Sequence, residues 1–246
     1  MPLTEWRFTM VFVRLAQTVL LLTLLLLTGC VEYDLDIQFD SQTHGQMVQQ
    51  FHWAGTAPPQ QFVAWQSALA ERVQTVGGTV KWADGTTATA TVPFNNGAEL
   101  EQRFNQLFAE GDSGLVLPGG ETVSATLKLA QGNWIFAIRN HLAVTFDLTA
   151  VPTGKRLGTP VLEQVEVLTG QVNLTTPWGI NSVKADGAET GGKSAYWPLY
   201  PGQVNPIEAD FWVPSPIGIG AAAIALLVTV GYSLRYRFGI GGDASP

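Results

Sequence analysis

Strict alternation opens the readable part of the chain. Val31, Tyr33, Leu35, Ile37 and Phe39 are apolar, while Glu32, Asp34, Asp36, Gln38 and Asp40 are polar or charged. That period of two marks a strand with one buried face. Residues 41–45 are turn formers and 46–53 read as a second strand, so the pair predicts a hairpin. Pro58-Pro59 then opens a stretch in which Phe62, Trp65, Leu69, Val73 and Val76 recur at helical spacing, and Gly77-Gly78 closes it. Residues 79–82 and 86–94 predict a second hairpin around Ala83-Asp84-Gly85. Asn96 followed by Glu99 is a capping-box pattern, and Leu100, Phe104, Leu107 and Phe108 form the apolar face of a helix reaching about residue 110.

Three strand-like runs follow, over residues 122–130, 134–140 and 142–150. Residues 161–174 hold one or two more strands. Residues 177–206, rich in Gly and Pro, read as ordered loop, and 207–211 as a last short strand. Short connections favour antiparallel neighbours. The expected class is α+β, an antiparallel sheet with two helices packed on one face, plus one C-terminal transmembrane helix.

Two apolar segments frame this domain. Arg7 and Arg14 precede an apolar run over residues 15–27, which ends in Leu27-Thr28-Gly29-Cys30. Positive charge, a short apolar core and small residues are the pattern of a secretory signal. Leu-Thr-Gly-Cys resembles the bacterial lipobox. That resemblance implies cleavage after Gly29 and a lipidated, palmitate-type acylated Cys30. The second segment, residues 216–234, holds no charge over a length that spans a hydrocarbon core. Arg235 and Arg237 follow it and place the C-terminus in the cytoplasm. The expected organisation is thus a signal peptide (1–29), an extracytoplasmic α+β domain (30–215, more irregular over 150–215), a transmembrane helix (216–234) and a cytoplasmic tail (235–246). Such a protein belongs in a bacterial inner membrane, plasma or thylakoid, with its domain on the periplasmic or lumenal side. Gly218, Ala221, Ala222 and Ala225 put small residues at spacing that lets another membrane helix approach.

Charge narrows the partners. Residues 31–215 carry 9 Lys+Arg against 18 Asp+Glu. So acidic a surface repels nucleic-acid phosphates, and no nucleic-acid partner is expected. With one Cys in the chain, no internal disulfide forms.

Candidate chemistry is thin. Gly111-Asp112-Ser113-Gly114 resembles the nucleophile motif of trypsin-like proteases, but His44, His52 and His141 lie in no matching setting. Asp34, Asp36 and Asp40 share a strand face with no bent loop to gather them around a cation. His44 and His52 are expected near each other across the first hairpin. Asn173-Leu174-Thr175 is a glycosylation sequon in pattern alone. No enzyme activity, cofactor or metal is expected. Trp53, Trp65, Trp82, Trp134, Trp178 and Trp197 serve core packing or line a cavity for a lipid or isoprenoid.

The stretch from Gly29 through Ile37, the Thr43-His44-Gly45 segment and the close of the domain (Pro201-Gly202-Gln203-Val204-Asn205-Pro206, then Phe211-Trp212-Val213-Pro214-Ser215) resemble an uncharacterised family of cyanobacterial and chloroplast membrane proteins. The layout is also similar to the mycobacterial lipoprotein LppM, whose exposed α/β domain is associated with lipid binding. Neither resemblance implies catalytic residues. The expectation is a non-enzymatic, membrane-anchored binding or assembly protein, with a lipid-binding domain as the alternative and a cryptic serine hydrolase as a remote one.

Overall fold

Alternation in the first strand becomes burial in the computed structural model. The structure describes residues 31–53, 59–83, 85–108, 115–117, 121–152 and 168–237. In β1 (Val31–Ser41) the side chains of Tyr33, Leu35, Ile37 and Phe39 are buried, and the residues between them face outward. β1 pairs with β2 (His44–Trp53) as the predicted hairpin. α1 (Pro59–Thr75) ends at Gly77, whose φ of 75° is the left-handed cap that a Cβ disfavours. β3 (Thr79–Trp82) and β4 (Thr87–Phe94) form the second hairpin.

α2 (Gly97–Leu107) starts as the capping pattern requires. Asn96 Oδ1 accepts the Glu99 amide at 2.8 Å. The Glu99 carboxylate reaches one residue further back than the simple box, accepting the Asn95 amide at 2.7 Å.

The remaining strands are β5 (Leu115–Val116), β6 (Thr122–Asn133), β7 (Ala137–Asp147), β8 (Leu168–Thr175), β9 (Ile180–Lys184), β10 (Glu189–Gly191), β11 (Ser194–Leu199) and β12 (Val204–Pro214), followed by the helix α3 (Pro216–Arg237). They build two sheets rather than the expected one. A seven-stranded sheet runs β10-β11-β8-β1-β2-β4-β3, and a five-stranded sheet runs β5-β6-β7-β12-β9. Phe39 and Phe211 join them, with ring centroids 5.0 Å apart. The class is α+β.

Three expectations about strands need correction. First, β1 and β8 are parallel, with Val31 opposite Leu168. Their sequence separation is large, so short-connection reasoning does not reach them. Second, the runs over 134–140 and 142–150 are one strand, β7, preceded by a turn at residues 134–136. Asn140-His141 looks like a break in sequence. In the fold Asn140 is buried inside the strand, and its Oδ1 accepts from Gln131 Nε2 at 2.7 Å. Third, residues 177–206 hold β9, β10, β11 and the start of β12. Pro198 and Pro206 fit within strands because, among the described residues, each lies beyond the end of one flanking strand. β10 pairs only residues 194–196 of β11, and β9 pairs only residues 208–211 of β12.

α2 covers an otherwise open strand edge. β5 pairs with only two residues of β6. Further along, Asn105 accepts from the Leu127 amide at 2.7 Å and donates to the Leu127 carbonyl at 2.9 Å, and Glu101 accepts the Leu129 amide at 3.0 Å. Side chains thus complete the ladder that a further strand would supply. The inner face of α2 adds Leu100, Phe104 and Leu107 to the core, where Phe104 and Phe108 meet Phe146.

Candidate functional site

α3 begins one residue after β12 and is built to start sharply. Ser215 caps it, its hydroxyl accepting the Gly218 amide at 3.2 Å and its carbonyl accepting the Ile219 amide at 3.0 Å. Pro216 stands at the first helical position, where its missing N–H costs nothing. The helix is 22 residues long, has no buried residue and is long and apolar enough to cross a membrane. It continues through Arg235 and Arg237, past the expected end at 234.

The tip of the β6–β7 hairpin is locked to this helix start. The register carries Ala137 opposite Pro214, so residues 134–136 project beyond the end of β12. The Ser215 amide donates to the Phe136 carbonyl at 2.9 Å. A Cβ placed on Gly218 would fall 1.5 Å from the Ile135 carbonyl oxygen, so glycine alone lets the first helical turn lie against the tip. Trp134 and Trp212 meet with ring centroids 6.3 Å apart. Trp134, Ile135 and Phe136 are nonetheless 67%, 70% and 53% exposed. The signal was present in sequence as three consecutive bulky apolar residues after Gly132-Asn133. Reading them as the start of a strand hid it.

The expected site residues are scattered. Cys30, the preceding signal-like segment and Ser113 with its flanking glycines lie outside the described residues. Asp34 and Asp36 are half-buried and Asp40 exposed on the outer face of β1. Partial burial, then Glu32 and Asp36, raise the Asp34 carboxyl above its ordinary value. Among the described residues, no group of three or more His, Cys, Asp or Glu could hold a metal ion. His44 and His52 sit on one strand, at opposite ends of β2, so the hairpin does not bring them together. Asn173 lies within β8, between Asp36 of β1 and Tyr196 of β11.

His141 belongs to a polar cluster on the five-stranded sheet. Its Nδ1 lies 3.3 Å from Asp210 Oδ1, while the Ser182 hydroxyl donates to Asp210 Oδ2 at 3.0 Å. Burial pushes the Asp210 carboxyl up, but Ser182, His141 and Arg139 outweigh it and hold it below the usual range. The Ser182 hydroxyl donates its hydrogen bond to a carboxylate and not to a histidine, unlike the serine–histidine pairing that activates a nucleophile. Lys184 and Glu208 pair at 2.8 Å beside it.

The tryptophans divide into two groups. Trp197 and Trp65 are buried; Trp134 and Trp178 are exposed. Two of the rings that the sequence offered as a cavity lining, Trp65 and Trp82, pack on one another, and the core ring of Phe51 packs on Trp65. A cavity of about 350 Å³ beside α1 is lined by Trp65, Leu69, Arg72, Gln106 and Val116, with one aromatic ring among the described residues of its walls. Polar groups also remain inside. Gln49 is 1% exposed, and among the described residues neither its amide atoms nor the buried Tyr33 hydroxyl has a hydrogen-bond partner. Burial and then Asp34 push the Tyr33 hydroxyl well above its ordinary value.

No curated protein matches the chain. Among solved structures, the NMR structure of the folded domain of the Mycobacterium tuberculosis LppM protein is similar. It is 16% identical, covers 77% of this chain and 92% of that one, and superposes with a TM-score of 0.41. Residues 35–238, from within β1 through the end of α3, match the family described as "Protein of unknown function (DUF3153)", and the chain belongs to that family.

Proposed function

We propose that the protein is a membrane-anchored extracytoplasmic lipoprotein whose domain serves a non-enzymatic binding or membrane-complex assembly role. The observation that carries the reading is α3: an unburied apolar helix that leaves the last strand of the folded domain through one capped residue. Arg235 and Arg237 at its end favour a cytoplasmic C-terminus and hence a periplasmic or lumenal domain. The lipobox pattern at Cys30 supplies a second anchor, in a plasma or thylakoid membrane.

The two anchors leave the domain at well-separated points. Phe39, near the end of β1, touches Phe211, near the helix end of β12. β1 extends back from there: Leu35 pairs with Val172 and Val172 with Trp197, which lines one cavity with Asn205 and Ile207. Val31 lies roughly 26 Å from Phe39 at about 3.3 Å per strand residue. With both anchors in one bilayer, the domain lies along the membrane and does not stand on it. The helix alone retains the protein; the lipid sets the domain's orientation.

Gly218 faces the chain's own hairpin, so Ala221 and Ala225 are the small pair left for a partner helix. Cys30→Ser is expected to remain in alkaline-washed membranes but to lose function in membrane-complex assembly. Its release into the soluble fraction would show that α3 is not an anchor. The second reading, a lipid or isoprenoid ligand inside the domain, is favoured by the Gln49 amide and Tyr33 hydroxyl, which are buried without a hydrogen-bond partner among the described residues. Native mass spectrometry of the purified protein showing no bound lipid removes it.

A further inference from the structure

We propose that the β6–β7 hairpin tip, Trp134-Ile135-Phe136, inserts into the lipid surface of the membrane that α3 enters, as an additional, non-covalent attachment. This rests on reading α3 as a spanning helix. Three consecutive bulky apolar side chains are more than half exposed, a costly display in water and a favourable one at a bilayer. Their position selects the bilayer as occupant. The tip is bonded to Ser215 and packed on Gly218, within the first turn of the apolar helix. That turn rises about 5.4 Å along the axis, so the tip sits at the depth where the chain enters lipid.

The chemistry of the tip agrees. No charged residue lies between Lys128 and Arg139, nor between Asp210 and Arg235, although the rest of the domain is acidic. Trp134 and Trp212 pair at this level, and tryptophan prefers the head-group region, where its apolar ring and N–H are both accommodated. The geometry also has a mechanical consequence. A tip hydrogen-bonded to the helix cap and wedged against Gly218 makes the domain and the start of the helix one body.

The test uses the full chain carrying Cys30→Ser, with single cysteines introduced by Ile135→Cys, Ile224→Cys or Thr190→Cys. Each is spin-labelled and reconstituted in phosphatidylcholine–phosphatidylglycerol vesicles. Nitroxide accessibility to oxygen is compared with that to a water-soluble nickel complex. Position 224 reports whether the helix spans, and 190 is the aqueous reference. An oxygen-to-nickel ratio several-fold higher at 135 than at 190, but lower than at 224, supports insertion. An aqueous reading at 135 with a deep reading at 224 overturns it and leaves the anchor intact. Low accessibility of 135 to both reagents means that a protein covers the tip, and it overturns the proposal equally. An aqueous reading at 224 removes the spanning helix and the proposal with it. As an unlabelled check, Trp134→Phe should lower the fluorescence quenchable by lipids with brominated acyl chains; unchanged quenching counts against insertion.

Discussion

Gln49 points into the core from β2, on the same face as Met47 and Phe51 and opposite Leu35 and Ala90. Among the described residues, neither its amide nitrogen nor its amide oxygen has a hydrogen-bond partner. A buried, unmet polar group costs roughly 1–3 kcal/mol relative to a satisfied or apolar one. Met is unbranched and close to Gln in volume, so Gln49→Met removes that cost without opening a cavity or overpacking the sheet. The expected outcome is a stabilisation of roughly 1–3 kcal/mol. For a domain of this size that raises the thermal midpoint by several degrees, at about 2–4 °C per kcal/mol. The assay is thermal unfolding of the full chain in mild detergent, followed by tryptophan fluorescence, beside Tyr33→Phe, which should stabilise for the same reason. A lower midpoint for Gln49→Met refutes the reasoning. It would mean that a buried water or ligand satisfies the amide, and it would favour the internal-ligand reading over a dry core.

Other substitutions probe the joints of the fold. Gly218→Ala sets a methyl against the Ile135 carbonyl; it should cost about 1–3 kcal/mol of local packing, read as faster hydrogen exchange at the Ser215 and Trp134 amides, which donate to Phe136 and Ala137, with α3 still helical. Asn105→Ala strips both partners from the Leu127 backbone and should destabilise the domain by about 1–3 kcal/mol in urea titration. The Glu99 carboxyl is held low by the Asn95 amide, the Asn95 side chain and Arg103. A lowered folded-state value adds stability that is complete above the ordinary carboxylate value of about 4.3 and is lost as pH falls through the folded value. Glu99→Gln should therefore lower the urea midpoint at neutral pH and converge with the parent in acid.

Much of the local structure was legible. The alternation of residues 31–40 is a half-buried strand because side chains on an extended backbone must point to opposite faces. Asn96 and Glu99 start α2 because unpaired amides need nearby acceptors. The apolar run before Arg235 is a helix whose satisfied backbone suits lipid. Errors began where neighbours decide. Asn140 reads as a breaker until Gln131 supplies its partner. Pro198 and Pro206 read as loop until a place beyond the end of one flanking strand, among the described residues, makes their missing donors harmless.

The candidate site divides in the same way. An apolar membrane-length segment is written into α3, because hydrophobicity sums over consecutive residues and needs no partner. What sits beside it is a matter of register. The pairing of Pro214 with Ala137 carries the hairpin tip past the end of β12, and Gly218 then admits the Ile135 carbonyl. Those residues are some eighty positions apart in the chain. The parallel pairing of β1 with β8 and the Phe39–Phe211 contact lie further apart still in sequence, and they set the Val31 end of β1 away from the Phe211 contact. Local pattern governs what each segment becomes, because its hydrogen bonds and faces close within a few residues. Relative placement depends on contacts between segments, whose energies appear once the sheets have assembled.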